Sequence, residues 1–215
     1  MAQIFPSSAN RAPAILAAGA AVLGLAAALG VWWFFSPEFT DVGYMPRQPV
    51  AFSHQLHAGE LQLDCRYCHY TVERSPVAAV PATSICMNCH TIQGRDLATL
   101  AAVRDSAARD RPIEWLRVHN LPDYARFDHS LHLAAGVGCS SCHGDVRAMP
   151  EVRQVEPLSM GWCLECHRDP DPHLRPADEL TDTAWVPPAD QMEFAAALRQ
   201  DREIAPPEAC TGCHQ

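Results

Sequence analysis

The sequence has 215 residues, which is enough for one globular domain or two small ones and too few for a large multidomain enzyme. Hydrophobic residues make up 48% and charged residues 19%, so the chain is too apolar to be intrinsically disordered. The formal net charge is −9, so the basic footprint of a nucleic-acid-binding protein is lacking and we expect no nucleic-acid partner.

An apolar segment follows a short N-terminal tail. Residues 12–36 contain no charged side chain, and the stretch ends in the aromatic run Trp32–Phe35. Crossing a bilayer core takes roughly 20 apolar residues, and aromatic rings favour the headgroup level. We predict an anchor helix at 12–36, a cytoplasmic tail at 1–11 and a linker at 37–50. A cleaved secretory signal is the alternative, with an apolar region of only about 7–15 residues, and it would export the same remainder.

All ten cysteines fall within five copies of one pattern, C-x-x-C-H. We number the motifs in chain order: motif 1 (Cys65, Cys68, His69), motif 2 (Cys86, Cys89, His90), motif 3 (Cys139, Cys142, His143), motif 4 (Cys163, Cys166, His167) and motif 5 (Cys210, Cys213, His214). The pattern is typical of c-type haem attachment, in which both thiols bond one porphyrin and the adjoining histidine binds the iron. Five disulfides would not place every cysteine in this repeated pattern, a zinc site would use paired C-x-x-C or C-x-x-C with spaced histidines, and a thioredoxin-like site would need only one pair. The sequence therefore predicts five covalently bound haem c groups.

A second pattern, F-x-H-x-x-H, occurs twice. The first histidine segment contains Phe52, His54 and His57 and precedes motif 1. The second histidine segment contains Phe127, His129 and His132 and precedes motif 3. An electron-transfer haem takes a second axial ligand, and this spacing puts two imidazoles one helical turn apart on one face. A lone histidine is usually a structural residue, but the duplication leads us to predict that all four histidines bind iron.

Five irons require one further donor. His119, which we place at the end of a helix and before a Leu-Pro turn, would complete the set. Met149 is the candidate for a methionine ligand, which would raise the potential of its haem relative to a bis-histidine neighbour. Met160 and His173 compete with these two residues, although methionine is more often core filler and His173 is placed in a surface loop.

The intervals between successive motifs alternate between short and long along the chain. This rhythm predicts a two-haem module at 51–118 and a three-haem module at 119–215, joined by an amphipathic helix near Asp96–Arg117. The exported residues are too few for a separate protein core around each haem, so the porphyrins must supply the core. We therefore predict a multihaem cytochrome c fold, mostly irregular with short α-helices packed around five haems, plus one N-terminal transmembrane helix.

The longer phrases that surround these motifs resemble one family. PRQPVAFSHQLHAG, LDCRYCHYTVE, VHNLPDYARFDHSLHLAAGVGCSSCHGDV and PLSMGWCLECHR are similar to the pentahaem cytochrome c component of bacterial alternative complex III, over roughly residues 12–215. The resemblance implies a non-catalytic electron relay in a quinol-oxidising complex of the bacterial inner membrane, with its haem domain in the periplasm. It implies that polytopic quinol-binding subunits and an iron–sulfur subunit supply electrons. It also implies a neighbouring monohaem cytochrome subunit, and a soluble cytochrome c or a terminal oxidase as acceptor.

Other functions are compatible with a multihaem chain. A self-sufficient membrane-anchored quinol dehydrogenase would need a quinol pocket with a proton acceptor, and the ionisable groups just after the apolar segment are few: Glu38, Asp41 and Arg47. A multihaem reductase would need an iron with an open face, whereas donors suffice for every iron. Five covalent haems exceed what a haem-based sensor requires.

Overall fold

The computed structural model describes residues Ile4 to His214. The chain divides into two compact units, of which the first ends at Asp41 and the second begins at Val42. The modules that we predict at 51–118 and 119–215 both lie within the second unit. Backbone contacts such as that of Gln55 N with Met149 O (2.9 Å) cross the boundary between them.

The first unit is dominated by one long apolar helix. Helix α1 spans Ala12–Phe34, is preceded by a 3-10 turn at Ser7–Arg11, and none of its residues is buried within the chain. Pro13 is accommodated because the first turn of a helix needs no backbone donor there. The 28 residues Ser7–Phe34 are long and apolar enough to cross a membrane. A one-turn helix, α2 (Pro37–Thr40), lies where the sequence predicts a linker.

The second unit consists of short helices and irregular segments. Its α-helices are α3 (Cys65–Cys68), α4 (Thr83–His90), α5 (Ala101–Arg109), α6 (His129–Ala135), α7 (Ser140–His143), α8 (Met160–Arg168), α9 (Gln191–Asp201) and α10 (Cys210–Cys213). A π-helical turn covers Gln55–Glu60, and 3-10 turns cover Ala98–Leu100, Val146–Ala148, Asp171–His173 and Ala177–Glu179. Residues 4–214 contain no β-strand, and two isolated bridges join Ala125 with His214 and Val137 with Leu174.

The polypeptide packs little apolar core of its own. A folded monomer of this mass exposes about 9,800 Å², whereas this chain exposes 14825 Å². The buried apolar residues of the described chain are few and scattered: Val50, Ala58, Val103, Met149, Leu174, Leu180 and Ala195. The exposed helix α1 accounts for part of the excess. The rest agrees with a chain whose helices are arranged around large apolar cofactors.

The linker helix is shorter than the pattern of residues 96–117 predicts. Helix α5 begins at Ala101 and ends at Arg109, where Asp110 adopts the left-handed conformation (φ 50°). The cause is Pro112, which disfavours the helical conformation for the residue before it. His119 consequently does not lie at the end of a helix, as the sequence predicts, but in an irregular segment.

Candidate haem-binding sites

Each C-x-x-C-H motif lies on a helix or a single helical turn. Motifs 1 and 5 form α3 and α10, motif 2 ends α4, motif 3 begins just before α7, and motif 4 lies within α8. Residues three apart on a helix share one face, so both thiols of a motif point to the same side. None of the ten cysteines is paired in a disulfide. The local geometry therefore suits attachment of one porphyrin edge to each motif.

Backbone carbonyls orient four of the five motif histidines. Their Nδ1 atoms donate to Ala79 O (His69, 2.8 Å), Gln93 O (His90, 2.8 Å), Pro207 O (His167, 2.7 Å) and Tyr124 O (His214, 3.3 Å). A histidine that donates from Nδ1 keeps the lone pair on Nε2, which is the usual arrangement for a metal ligand. In motif 3, the Nδ1 of His143 lies 3.4 Å from Nε2 of His119 instead.

The two histidine segments fold into nearly the same local structure. The Nδ1 of His57 donates to Ser53 O (2.8 Å), and that of His132 donates to Asp128 O (2.7 Å). The side chains of the same two residues accept from the backbone: Ser53 Oγ from Leu56 N and Asp128 Oδ1 from Ser130 N. The sequence repeat is therefore also a structural repeat.

A phenylalanine orders both imidazoles of each segment. Phe52 stacks on His57 with ring centroids 4.4 Å apart and meets His54 edge-on at 4.9 Å. In the second segment, Phe127 lies 4.5 Å from the ring of His132 and 4.7 Å from that of His129. The segments differ in that the first continues as a π-helical turn and the second as the α-helix α6.

Three histidines of these segments face motif histidines across a similar gap. The ring centroids are 6.1 Å apart for His57 and His90, 6.1 Å for His132 and His167, and 6.4 Å for His129 and His143. Two imidazoles that bind one metal ion from opposite sides, each nitrogen about 2 Å from it, have ring centroids roughly 6 Å apart. The fourth histidine, His54, interacts electrostatically with His69, and its buried Nδ1 has no hydrogen-bond partner in the described chain. The donor set therefore fits iron ligation.

Burial lowers the pKa of three of these imidazoles. Burial first, and then the neighbouring His69 and His57, lower the pKa of His54 to about 4. Burial and the neighbouring histidines, His119 foremost, lower the pKa of His143 to about 3. The pKa of His132 is also lowered, chiefly by burial. A metal ion binds the neutral form of histidine, so these side chains need no deprotonation to act as ligands.

The remaining predicted donors lie in different surroundings. His119 contacts His143 of motif 3, with ring centroids 4.4 Å apart. The ring next to His214 of motif 5 is that of Tyr124, with centroids 5.8 Å apart. Met149 is buried, 4% exposed, next to the first histidine segment. Met160 is 65% exposed at the start of α8, and His173 lies half-buried in a 3-10 turn. The structure thus brings His119 to motif 3 and not to motif 5.

Motif 1 contacts motif 2. Asn88 Nδ2 of motif 2 donates to the hydroxyl of Tyr67 of motif 1 at 3.0 Å. The thiol of Cys68 interacts electrostatically with the thiols of Cys86 and Cys89. The two attachment helices therefore adjoin.

Motif 1 also contacts motif 3, which is distant in sequence. The thiols of Cys65 and Cys139 interact electrostatically. The segment Leu180–Thr181 makes a second connection between the two motifs. The carbonyl of Leu180 accepts a hydrogen bond from Cys139 N of motif 3 at 3.0 Å. The hydroxyl of Thr181 donates to Asp64, the residue that caps α3, at 3.2 Å.

Motif 4 lies between motifs 3 and 5. The thiol of Cys142 interacts electrostatically with those of Cys163 and Cys166. On the other side of motif 4, Cys163 interacts in the same way with Cys213 of motif 5. Arg168 pairs with Glu208 at 3.3 Å, and the carbonyl of Pro207 orients His167. The contacts thus run in the order 2, 1, 3, 4, 5, which differs from the order along the chain.

Sequence reasoning missed several residues around the motifs. The caps Ser53 and Asp128 were detectable, because Ser and Asp are common at the start of a helix. Asp64 and Thr181 join motifs 1 and 3 by a hydrogen bond between residues 117 apart, and no sequence pattern indicates such a contact. Arg175, buried beside motif 3, is one of sixteen arginines with no distinguishing pattern around it.

Parts of this chain match known proteins. Residues 125–215 match the family of cytochrome c7 and related cytochromes c, and residues 37–105 match the class III cytochrome C family. A curated relative is the multiheme cytochrome c subunit of menaquinone reductase from Nitratidesulfovibrio vulgaris (strain Hildenborough). It is 30% identical over 122 residues, which are 56% of this chain and 56% of the relative, so the match spans about half of each protein. The first matched segment contains motifs 1 and 2, and the second contains motifs 3 to 5. The segments 37–105 and 125–215 are therefore multihaem cytochrome c domains, helical and irregular.

Proposed function

We propose that this chain is a non-catalytic electron relay that holds five covalent c-type haems within a membrane quinol-oxidising complex. Each haem would supply an iron that gains and loses one electron reversibly. The protein attaches the porphyrins through the ten motif cysteines and binds the irons through paired histidines. The carbonyls that fix Nδ1 of these histidines also fix the orientation of the rings.

The observation that carries the proposal is the repeated pairing of a motif histidine with a histidine of the two segments. The ring centroids of these pairs are 6.1 to 6.4 Å apart, and Nδ1 in most of the rings is held by a backbone carbonyl. Isolated structural histidines would have no reason to adopt one spacing three times. We assign the distal ligands by these pairings: His54 to motif 1, His57 to motif 2, His129 to motif 3 and His132 to motif 4.

Motif 5 needs a donor from elsewhere. Residues 119–126 run from motif 3 to motif 5: His119 contacts His143, and Tyr124 accepts from Nδ1 of His214. We propose His119 as the fifth histidine ligand, because it lies in the same irregular segment as Tyr124, which contacts His214 of motif 5. Met149 remains the candidate if one haem has a methionine ligand.

The order of the motifs supports a single file of sites. Motifs 2 and 5 lie at the two ends, and motif 3 lies in the middle. Electron transfer between neighbouring sites would then follow the order 2, 1, 3, 4, 5. Electrons would enter and leave at the haems of motifs 2 and 5, which are the two ends of this file.

The membrane setting is the second part of the proposal. Helix α1 is long enough to span a bilayer and buries no residue within the chain, so we propose a single-pass anchor in the bacterial inner membrane with the haem domain in the periplasm. The relative from N. vulgaris is named a subunit of a menaquinone reductase, which favours a quinone-linked complex. The resemblance to alternative complex III implies three kinds of partner: an iron–sulfur subunit, polytopic quinol-binding subunits and a monohaem cytochrome. A soluble cytochrome c or a terminal oxidase would accept the electrons.

Purification from native membranes in mild detergent tests this assignment. We expect iron–sulfur and polytopic subunits to co-purify with the chain, and the preparation to reduce cytochrome c with quinol. The isolated chain should not be reduced by quinol, because quinol oxidation belongs to another subunit. Reduction of the isolated full-length chain by quinol would instead identify a self-sufficient quinol dehydrogenase, which is the alternative function. Substrate-dependent oxidation of the reduced chain, without other subunits, would identify a multihaem reductase.

A further inference from the structure

Arg175 is buried against motif 3. Arg175 is only 5% exposed, and its guanidinium covers Gly138, the residue just before Cys139. A Cβ at position 138 would collide with the guanidinium, so the glycine is what permits this approach. One nitrogen, Nη2, donates to Ser140 Oγ inside the motif at 3.1 Å. The positive charge therefore lies next to the two residues that begin the motif.

The hydrogen-bond partners of the Arg175 guanidinium are neutral, and the carboxylates of Asp182 and Glu179 act on it only through space. Nη1 donates to the carbonyls of Asp182 (2.9 Å) and Glu179 (3.4 Å), and the Trp185 ring lies 4.6 Å from the guanidinium carbon. The buried Nε has no hydrogen-bond partner in the described chain. Hydrogen bonds to neutral acceptors hold the group in place without forming an ion pair with it.

Two other arginines next to motifs have carboxylate partners. Arg147, close to Cys65 of motif 1, lies 3.6 Å from a carboxylate oxygen of Asp182. Arg168, next to His167 of motif 4, pairs with Glu208 at 3.3 Å, and both side chains are more than half exposed. Their charges are thus offset by a carboxylate, and that of Arg168 also by solvent. Arg175 combines burial with neutral partners.

A fixed buried cation favours the less positive state of a redox centre close to it. Reduction of a haem iron removes one positive charge, so a neighbouring cation stabilises the reduced form, and low effective dielectric strengthens the effect. We propose that Arg175 is a potential-setting residue, which raises the reduction potential of the haem at motif 3 through its buried charge. This inference rests on the proposed function, since it requires a haem at motif 3.

Spectroelectrochemical titration of the haem-loaded full-length chain tests the proposal. The Arg175→Gln variant should lower the potential of one haem, with a roughly tenfold change in its reduction equilibrium, or 59 mV for one electron. Arg175→Lys retains the charge and should keep that potential close to the wild-type value. Arg168→Gln is the matched control, because it removes the same charge beside motif 4 from an exposed, paired position, and it should leave all potentials unchanged.

Electron paramagnetic resonance can assign the shifted haem. The rings of His129 and His143 are nearly parallel (8°), whereas the other facing pairs are inclined at 38° and 63°. Since the spectrum of a low-spin haem depends on the relative orientation of its axial imidazoles, the shift should follow the signal of the near-parallel pair.

A second variant covers the case in which Arg175→Gln fails to fold. Ser140→Asp keeps the guanidinium and its other contacts but places a carboxylate at its Nη2, so it should lower the same potential. The proposal is overturned if Arg175→Gln or Ser140→Asp leaves every potential unchanged, or if Arg175→Lys lowers the potential as much as Arg175→Gln does. A wild-type chain without redox-active covalent haem would overturn the proposed function itself, and that outcome is recognised before any variant is compared.

Discussion

The His132→Ala variant is expected to retain all five covalent haems and to convert one of them from low spin to high spin. His132 faces His167 at 6.1 Å, is stacked by Phe127, and donates from Nδ1 to Asp128 O. The cysteines of motif 4 are untouched, so attachment should persist while one axial position is lost. Visible absorption and electron paramagnetic resonance measure the change.

The repeat provides a matched partner and a control for this experiment. His57 occupies the same place in the first segment, 6.1 Å from His90, so His57→Ala should give the same loss at motif 2. His173 lies in a 3-10 turn and carries no ligand role in the assignment, so His173→Ala should leave all haems low spin. A His132→Ala protein with an unchanged low-spin spectrum would remove His132 from the ligand set.

Deletion of single haems is expected to distinguish the spatial order of the sites from their order along the chain. In the order 2, 1, 3, 4, 5, removal of motif 1 by Cys65→Ser and Cys68→Ser isolates the haem of motif 2. Removal of motif 2 by Cys86→Ser and Cys89→Ser takes away an end site and leaves a continuous file of four. The basis is that motif 1 contacts both motif 2 and motif 3.

Photoreduction with less than one electron per chain measures this difference. After the flash, electrons should redistribute among all four haems of the motif 2 variant as rapidly as in the wild type. The motif 1 variant should gain a slow phase, because one haem has lost its neighbour. If the haems instead followed the order of the chain, the slow phase would occur in the motif 2 variant. Intact mass spectrometry confirms that each variant has lost one haem only.

Much of the site could be predicted because its signals are local. The C-x-x-C-H motifs and the F-x-H-x-x-H segments are short patterns, and the structure places the latter as near-identical repeats with Phe52 and Phe127 against both histidines. The apolar stretch at 12–36 likewise predicted a helix, which spans Ala12–Phe34. In each case neighbouring residues determine the conformation.

The rest depends on contacts between segments that are distant in sequence. The hydrogen bond between Thr181 and Asp64 joins residues 117 apart, and no pattern in either segment indicates it. The end of α5 at Arg109 was misjudged because the helical pattern continues past Pro112 while the backbone does not. Arg175 was overlooked for a related reason, since its burial depends on Gly138 and Trp185 from other parts of the chain.

An anomalous difference map at the iron absorption edge, from crystals of the haem-loaded full-length chain in detergent, would locate the iron atoms and show their order. We expect five iron peaks in single file, in the order of motifs 2, 1, 3, 4 and 5, with those of motifs 1 to 4 lying between a motif histidine and His54, His57, His129 or His132. Fewer than five peaks, or an iron at motif 1 that does not lie between those of motifs 2 and 3, would contradict this expectation.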